Sequence, residues 1–196
     1  MAVQTSGEIV LGAMLARQSV GAKHLSEPGP SDAELLRMVD CALRAPDHGG
    51  LVPFRFASVR GAAREQLSQL FERAARAAGK DATAAGIDAE RALRAPVTVA
   101  LIARIDMGHR LVPAHEQWAC VGGALTNFLN AAQALGYGGK MLSGAKVRSE
   151  AVQQAFCRPG ETLVGWVALG TPADPPLRGH VKPGAAAVLG PWPSED

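Results

Sequence analysis

Arg44-Ala45-Pro46-Asp47-His48-Gly49-Gly50-Leu51-Val52-Pro53-Phe54-Arg55-Phe56 joins the end of a helix to the start of a strand and gathers several polar groups in between. Ahead of it, Ser31-Asp32-Ala33-Glu34 reads as a capping box, with Ser31 as N-cap and Glu34 reaching back to it. Leu35, Leu36, Val39 and Leu43 then recur at helical spacing on one face. Pro46 pushes Ala45 out of the helical region, so the helix stops there. Phe54, Phe56 and Val59 alternate with Arg55 and Ser58, which suits a half-buried strand. In the connection, Gly49-Gly50 lets backbone approach a flat ligand with no side chain in the way.

The whole chain is consistent with one domain. Its 196 residues suffice for a sizeable core. Apolar residues at 47% and charged residues at 19% describe a soluble globular protein. A net charge of +2 carried by scattered basic residues argues against nucleic acid as a partner. No apolar run is long enough to span a membrane. The N-terminus also lacks the basic segment and apolar core of a secretory signal. Cys41, Cys120 and Cys157 are far apart and form no CxxC. Thiols acting as small core residues in a reducing cytoplasm are therefore expected.

Outward from the central stretch, periodicity predicts helices at 8–17, 62–78 and 114–135, with short ones at 88–94 and 149–156. A polar, alanine-rich interruption at 79–86 precedes the first short one. Pro96 opens a nearly continuous apolar run at 97–103, the mark of a strand covered on both faces. Further strands are predicted at 140–143 and 163–169. Trp118, Val121, Leu125, Phe128, Leu129 and Ala132 run along the long helix among Gly122, Gly123 and many alanines. Such small residues let another helix come close, so this helix is expected at the centre of a dimer. From Ala173 the chain is rich in Pro, Gly and Ala without a period. The division is thus a domain at 1–172 and an extension at 173–196.

Several chemistries are disfavoured. Gly136-Tyr137-Gly138-Gly139 follows a helix, whereas a dinucleotide fingerprint follows a strand and opens a helix. Gly139-Lys140 precedes Met141, so it is no P-loop. His115-Glu116 lacks the second His of HExxH, and the five histidines form no metal set. No G-x-S-x-G is present. Asp47 and His48 are adjacent, and neighbours seldom face each other in a loop. Arg17-Gln18-Ser19, at the end of the first helix, has two readings. It is either a polar terminus in which Arg17 complements the helix dipole, or a phosphate clamp built from a guanidinium and a hydroxyl.

Five motifs in order favour the second reading. Arg17-Gln18-Ser19 resembles an R-R-S, and Glu27-Pro28 an E-P before the second helix. Arg44 to Phe56 resembles R-A-P-D-H followed by P-W-x-F. Residues 138–145 resemble G-G-x-W-R-S-G-A, and 164–172 resemble V-G-x-x-x-L-G-T-P. Together they span about residues 14–172 and resemble the FMN-dependent nitroreductase family, in its short-chain NAD(P)H nitroreductase branch. The resemblance implies an α+β fold, a mixed central sheet flanked by helices, and an intertwined homodimer with FMN at its interface. It implies hydride transfer from NAD(P)H through FMN to a nitroaromatic, quinone or similar acceptor. No side chain would be catalytic, because the chemistry belongs to the cofactor. Arg17, Gln18 and Ser19 would lie at the phosphate and ribityl end. Arg44 and His48 would come from the central motif, His48 from across the dimer. Met141, Leu142 and Ser143 would pass beside FMN, mainly through backbone. Ala131, Ala132, Gln133, Ala134, Leu135 and Gly136 match the segment ascribed to nicotinamide nucleotide. Gln18 and Leu142 stand where relatives have Arg, with Lys23, Lys140 and Lys146 as compensating cations to consider. A redox-silent protein that uses the same fold to bind a ligand or partner is the alternative.

Overall fold

The structure is a computed structural model that describes residues 5–173 and 181–192. Two helices open on capping boxes. Thr5 and Glu8 cap α1 (Ser6–Ala16), and Ser31 and Glu34 cap α2 (Asp32–Ala42). In the second, the Ser31 N–H donates to Glu34 Oε2 at 2.8 Å. The inward stripe of α2 is Leu35, Met38 and Ala42, with Val39 half-buried. Leu36 and Leu43, expected on that stripe, are exposed, because the face is centred one position away from them.

Five strands form one sheet: β1 (Leu25–Ser26), β2 (Phe54–Val59), β3 (Val97–Ala103), β4 (Gly138–Leu142) and β5 (Thr162–Pro172). β5 is central. β3 runs along one side of it and β4 along the other; β1 pairs with its last residues, and β2 lies outside β3. Every one of these pairings is antiparallel, which corrects the expected mixed sheet. The reason is topological. The crossover helix α5 (Ala114–Ala134) returns the chain so that β4 runs in the direction of β3, but β5 then inserts between them, antiparallel to both. β3 is buried along its whole length, as its apolar run requires.

α2 and α5 cover one face of the sheet around Met38 and Phe128, and Phe56 stacks on Phe128 at 4.7 Å. On the other face lie α3 (Ala63–Ala77), α4 (Ala82–Leu93) and α6 (Glu150–Phe156). α4 is longer than the 88–94 segment expected: Asp81 caps it by accepting from the Ala84 N–H at 2.8 Å, and alanines carry the helix through Gly86. Cys120 is buried and Cys157 half-buried, and burial pushes both thiols up; Cys41 is exposed. Of the extension at 173–196, Ala173 and residues 181–192 are described, and 181–192 are exposed, with one turn of 3-10 helix at Ala185–Ala187. The remainder lies outside the described residues. No described helix is long and apolar enough to cross a membrane.

α1 differs from the other long helices. It has no buried residue, and Ile9, Val10, Leu11, Met14 and Leu15 are all exposed. Among the described residues nothing covers this helix, and an exposed apolar surface of that kind marks a place of interaction.

Two buried carboxylates pin the second face. Glu161 takes a two-pronged contact from Arg55, at 2.8 and 2.7 Å, and a backbone N–H from Arg158. The Arg55 guanidinium holds it at about 2, against the opposing effect of burial. At Asp88 burial raises the pKa, but Lys146 and Lys80 outweigh it and bring the carboxyl to about 2. Both folded values lie below the unfolded ones. Each contribution is therefore fully present above pH ~4.5 and is lost as pH falls toward 2, on the order of 2–3 kcal/mol apiece. Chemical denaturation at pH 6 and pH 3 should show that loss, and Asp88→Asn should flatten part of the slope.

Candidate functional site

The site starts at the uncovered edge of β4. Residues in a strand point their backbone groups alternately to the two sides. The Leu142 carbonyl faces β5, where it would meet a Cβ added at Gly165. The Gly139 carbonyl faces the other way and accepts from the Val20 N–H at 3.1 Å. Met141 shares the parity of Gly139, so its N–H and C=O also lie on the outer edge, about 7 Å further along the strand. Among the described residues no β-partner covers them. The bond from Val20 ties the segment that follows Arg17-Gln18-Ser19 to that edge, two residues before Met141.

Between the end of α1, the end of α5 and the start of β4 opens a cavity of about 240 Å³. Arg17, Gln18, Gln133, Gly136 and Tyr137 line it. Arg17 is the half-buried C-cap of α1, and its guanidinium has no hydrogen-bond or ion-pair partner among the described residues. Gln133 Nε2 donates to the Ala13 carbonyl at 2.8 Å, closing α1 onto α5. Of the segment expected to meet nicotinamide nucleotide, Gln133 and Gly136 open onto this cavity. Ala132 is buried, Ala131 and Leu135 pack on the core, and Ala134 is exposed elsewhere.

Arg44 and His48 lie elsewhere. His48 Nδ1 is 2.7 Å from Glu116 Oε2, in the first turn of α5. Gln133, on the cavity, sits at the far end of that helix, on the order of 25 Å away at 1.5 Å per residue. Within one chain, His48 therefore cannot share a small ligand with Arg17. Asp47 does not pair with His48; its carboxylate accepts from the Val52 N–H at 2.7 Å and closes the loop. This holds Gly49 and Gly50 at positive φ and also Val52, at φ 44°, a strained setting for a β-branched residue. Gly123 of α5 comes within 3.2 Å of Ala45 when given a Cβ, so one of the small residues of α5 serves contact with this same loop.

Leu142 is half-buried and packs against the cluster of Leu25, Ala95 and Ala168. Of the compensating cations considered, Lys146 lines a cavity with Leu142 and Ser143, Lys140 is exposed, and Arg91 joins Lys146 there. Sequence reasoning missed Asp88, Arg91, Lys80 and Glu116. Asp88 had a visible signal: Ala85, Asp88 and Ala92 occupy the inward positions of α4, so a carboxylate sits on a buried face. Among the described residues no group of His, Cys, Asp and Glu is placed to hold a metal ion.

Comparison with known proteins gives a consistent set. Residues 14–171 match the sequence model of the Nitroreductase family. A protein of Escherichia coli (strain K12) called "Putative NAD(P)H nitroreductase YdjA" is 37% identical over 152 residues, which is 77% of this chain and 82% of that protein. Among solved structures, the Nitroreductase-like family protein from Bacillus cereus superposes with a TM-score of 0.81 at 19% identity, over 99% of this chain and 100% of the other. A structure from Desulfovibrio desulfuricans described as a "putative nitroreductase in complex with fmn" gives a TM-score of 0.70 at 21% identity, over 97% and 100%.

Proposed function

Because this chain belongs to the Nitroreductase family, we propose that it is a cytoplasmic, homodimeric, FMN-dependent NAD(P)H oxidoreductase that reduces a nitroaromatic, quinone or similar acceptor. The observation that carries this reading is the outer edge of β4. There the unpaired backbone N–H and C=O of Met141 lie on the edge to which Val20, the residue after Arg17-Gln18-Ser19, is bonded. Those groups fit FMN. A flat heterocycle with a donor and acceptors on its rim is matched by backbone N–H and C=O, and its phosphate by the unpaired guanidinium of Arg17 and the hydroxyl of Ser19. When bound, the flavin would supply the two-electron chemistry, accepting hydride from NAD(P)H and passing it on.

The chain's own residues hold and shield. Arg17 and Ser19 anchor the phosphate end, Gln18 and Gln133 line the approach, and Met141 fixes the ring edge through its backbone. Ser143 continues the same strand end, and Leu142 keeps it seated by packing. Arg44 and His48 belong to the same site only when they come from a second copy. The roughly 25 Å separation along α5 and the bare apolar α1 both support that assembly. Residues 1–172 would form the catalytic unit, with 173–196 as an extension.

The test begins with colour and mass. The purified protein should show a flavin absorbance spectrum, directly or after FMN is added, and should bleach under NADH or NADPH without oxygen. Light scattering should give a particle of two 20.3 kDa chains. A colourless monomer that takes up no FMN would overturn the proposal. A yellow dimer that neither nucleotide reduces would identify the redox-silent alternative.

A further inference from the structure

His48 is held from two sides. Its own loop is closed by the Asp47 carboxylate on the Val52 N–H, which keeps Gly49, Gly50 and Val52 at positive φ. Strained backbone of this kind persists only where the surroundings enforce it, and it collects at ligand sites. Across from the loop stands Glu116, whose Oε2 is 2.7 Å from His48 Nδ1. The turn that carries Glu116 is fixed as well. The next residue, Gln117, is 2% exposed. Its Nε2 donates to the Asp106 and Val112 carbonyls, both at 2.9 Å, and its Oε1 accepts from the Asp106 N–H at 2.8 Å. A Cβ built on Gly49 would lie 3.4 Å from Val112, so the loop sits against the segment that leads into α5.

Two fixed backbones therefore hold an exposed imidazole and a partly exposed carboxylate in contact. A pair so open to solvent adds little to stability. Its effect is on the imidazole. A carboxylate can only accept, so the bonded proton lies on Nδ1, and Nε2 is the ring atom left over. Among the described residues Nε2 has no hydrogen-bond partner.

We propose that Glu116 is a positioning residue for His48, a role that rests on the oxidoreductase reading. Glu116 accepts the Nδ1 proton, fixes the turn of the ring, and leaves the Nε2 lone pair to accept from a hydroxyl or ring N–H of the bound flavin. Both residues belong to one chain, so whichever copy supplies His48 to a site supplies Glu116 with it. A carboxylate beside the imidazole repels phosphate. The pair therefore serves the ring and ribityl part of FMN, away from the phosphate end that Arg17 and Ser19 hold. The plainer role of Glu116 is that of an acid in the first turn of α5, favourable to the helix dipole. The two roles come apart in Glu116→Gln, which loses the charge but keeps an oxygen that accepts from Nδ1.

The experiment is a flavin titration of the parent, Glu116→Gln, Glu116→Ala, His48→Ala and the protein with both alanines. Nitrogen-15 spectra of the histidine rings accompany it, on the flavin-free proteins at about pH 9, well above the ordinary histidine value. His48→Ala identifies the His48 signals. In the parent that ring should carry its proton on Nδ1, and in Glu116→Ala the proton should redistribute toward Nε2. Glu116→Ala should weaken FMN about tenfold, as for loss of one hydrogen bond, while Glu116→Gln keeps most of the affinity. In the His48→Ala background the Glu116→Ala step should change nothing, because the ring it positions is gone. An Nδ1 proton that stays in place without Glu116, an equal loss in both backgrounds, or a loss in Glu116→Gln as large as in Glu116→Ala would overturn this role and leave the flavin reading standing. A parent protein that takes up no FMN would overturn both.

Discussion

Gly165→Ala is expected to melt about 10 °C or more below the parent protein, and what remains folded should bind FMN poorly. Gly165 lies in β5 with φ 155°, a region that a residue with a Cβ occupies only under strain. A Cβ there would collide with the Leu142 carbonyl and come within 2.7 Å of Met141 Cε. The clash is with backbone, so no rotamer change relieves it. Overpacking costs about 1–3 kcal/mol and the forced dihedral a similar amount. Against a total stability of about 5–15 kcal/mol this is a large fraction, and a chain of this size loses about 2–4 °C per kcal/mol. The cheapest escape is to push β4 away from β5, which displaces Met141 and its outer edge. Melting followed by circular dichroism checks the first part and a flavin titration the second. Gly86→Ala, in α4 with nothing within 4 Å of the new methyl, is the control. It should be neutral or stabilising by up to about 1 kcal/mol. A Gly165→Ala protein as stable as the parent would mean that β4 does not sit against β5 as described.

Arg17→Ala should lower FMN affinity tenfold to hundredfold and leave the flavin-free protein as stable as before. The guanidinium has no partner to lose among the described residues, and the helix-capping bond from the Arg17 N–H to the Met14 carbonyl is made by backbone. A hydrogen bond to an ionised phosphate contributes about 1.5–3 kcal/mol, which sets the range of the effect. Surface changes away from such contacts stay within about 0.5 kcal/mol. Flavin fluorescence quenching measures the first quantity and thermal melting the second. Unchanged affinity would return Arg17 to the plain helix-terminus role. A fall in both would mean that the side chain holds α1 in place and does not hold a phosphate.

The features legible in the sequence were those written over a few neighbouring residues. The capping box at Ser31–Glu34, the stop at Pro46 and the doubly buried run at 97–103 rest on local rules, and the structure reproduces each. The motif glycines acquired a reason only in three dimensions. A Cβ at Gly170 would press on Pro96 and the Ser26 carbonyl, strands away in sequence. Sheet order was not legible, since β1 meets β5 through Leu25 and Pro172, and no local pattern encodes that pairing. The inward stripe of α2 was misplaced because Leu36 and Leu43 are as apolar as Leu35, and periodicity alone cannot choose between overlapping faces. For the candidate site, residues 17–19 and Met141 were named from motifs, and one tertiary hydrogen bond, Val20 to Gly139, ties the end of the first motif to the strand that carries Met141. The partnership of His48 with Glu116 spans 68 positions and left no trace in spacing.

β5 stands in the middle of the sheet and is the last of the five strands to be synthesised. While a ribosome is still adding residues before 162, β3 and β4 have no neighbour between them. A run of seven apolar residues, Val97–Ala103, then lacks the strand that will pair with its inner edge. Long-range antiparallel pairing of this kind is slow to form and leaves edges open to other chains meanwhile. The nascent chain therefore cannot complete its fold piece by piece from the N-terminus. A transcript cut short inside the β5 codons would yield a polypeptide with nearly all of its helices and no centre, a substrate for chaperones and proteases.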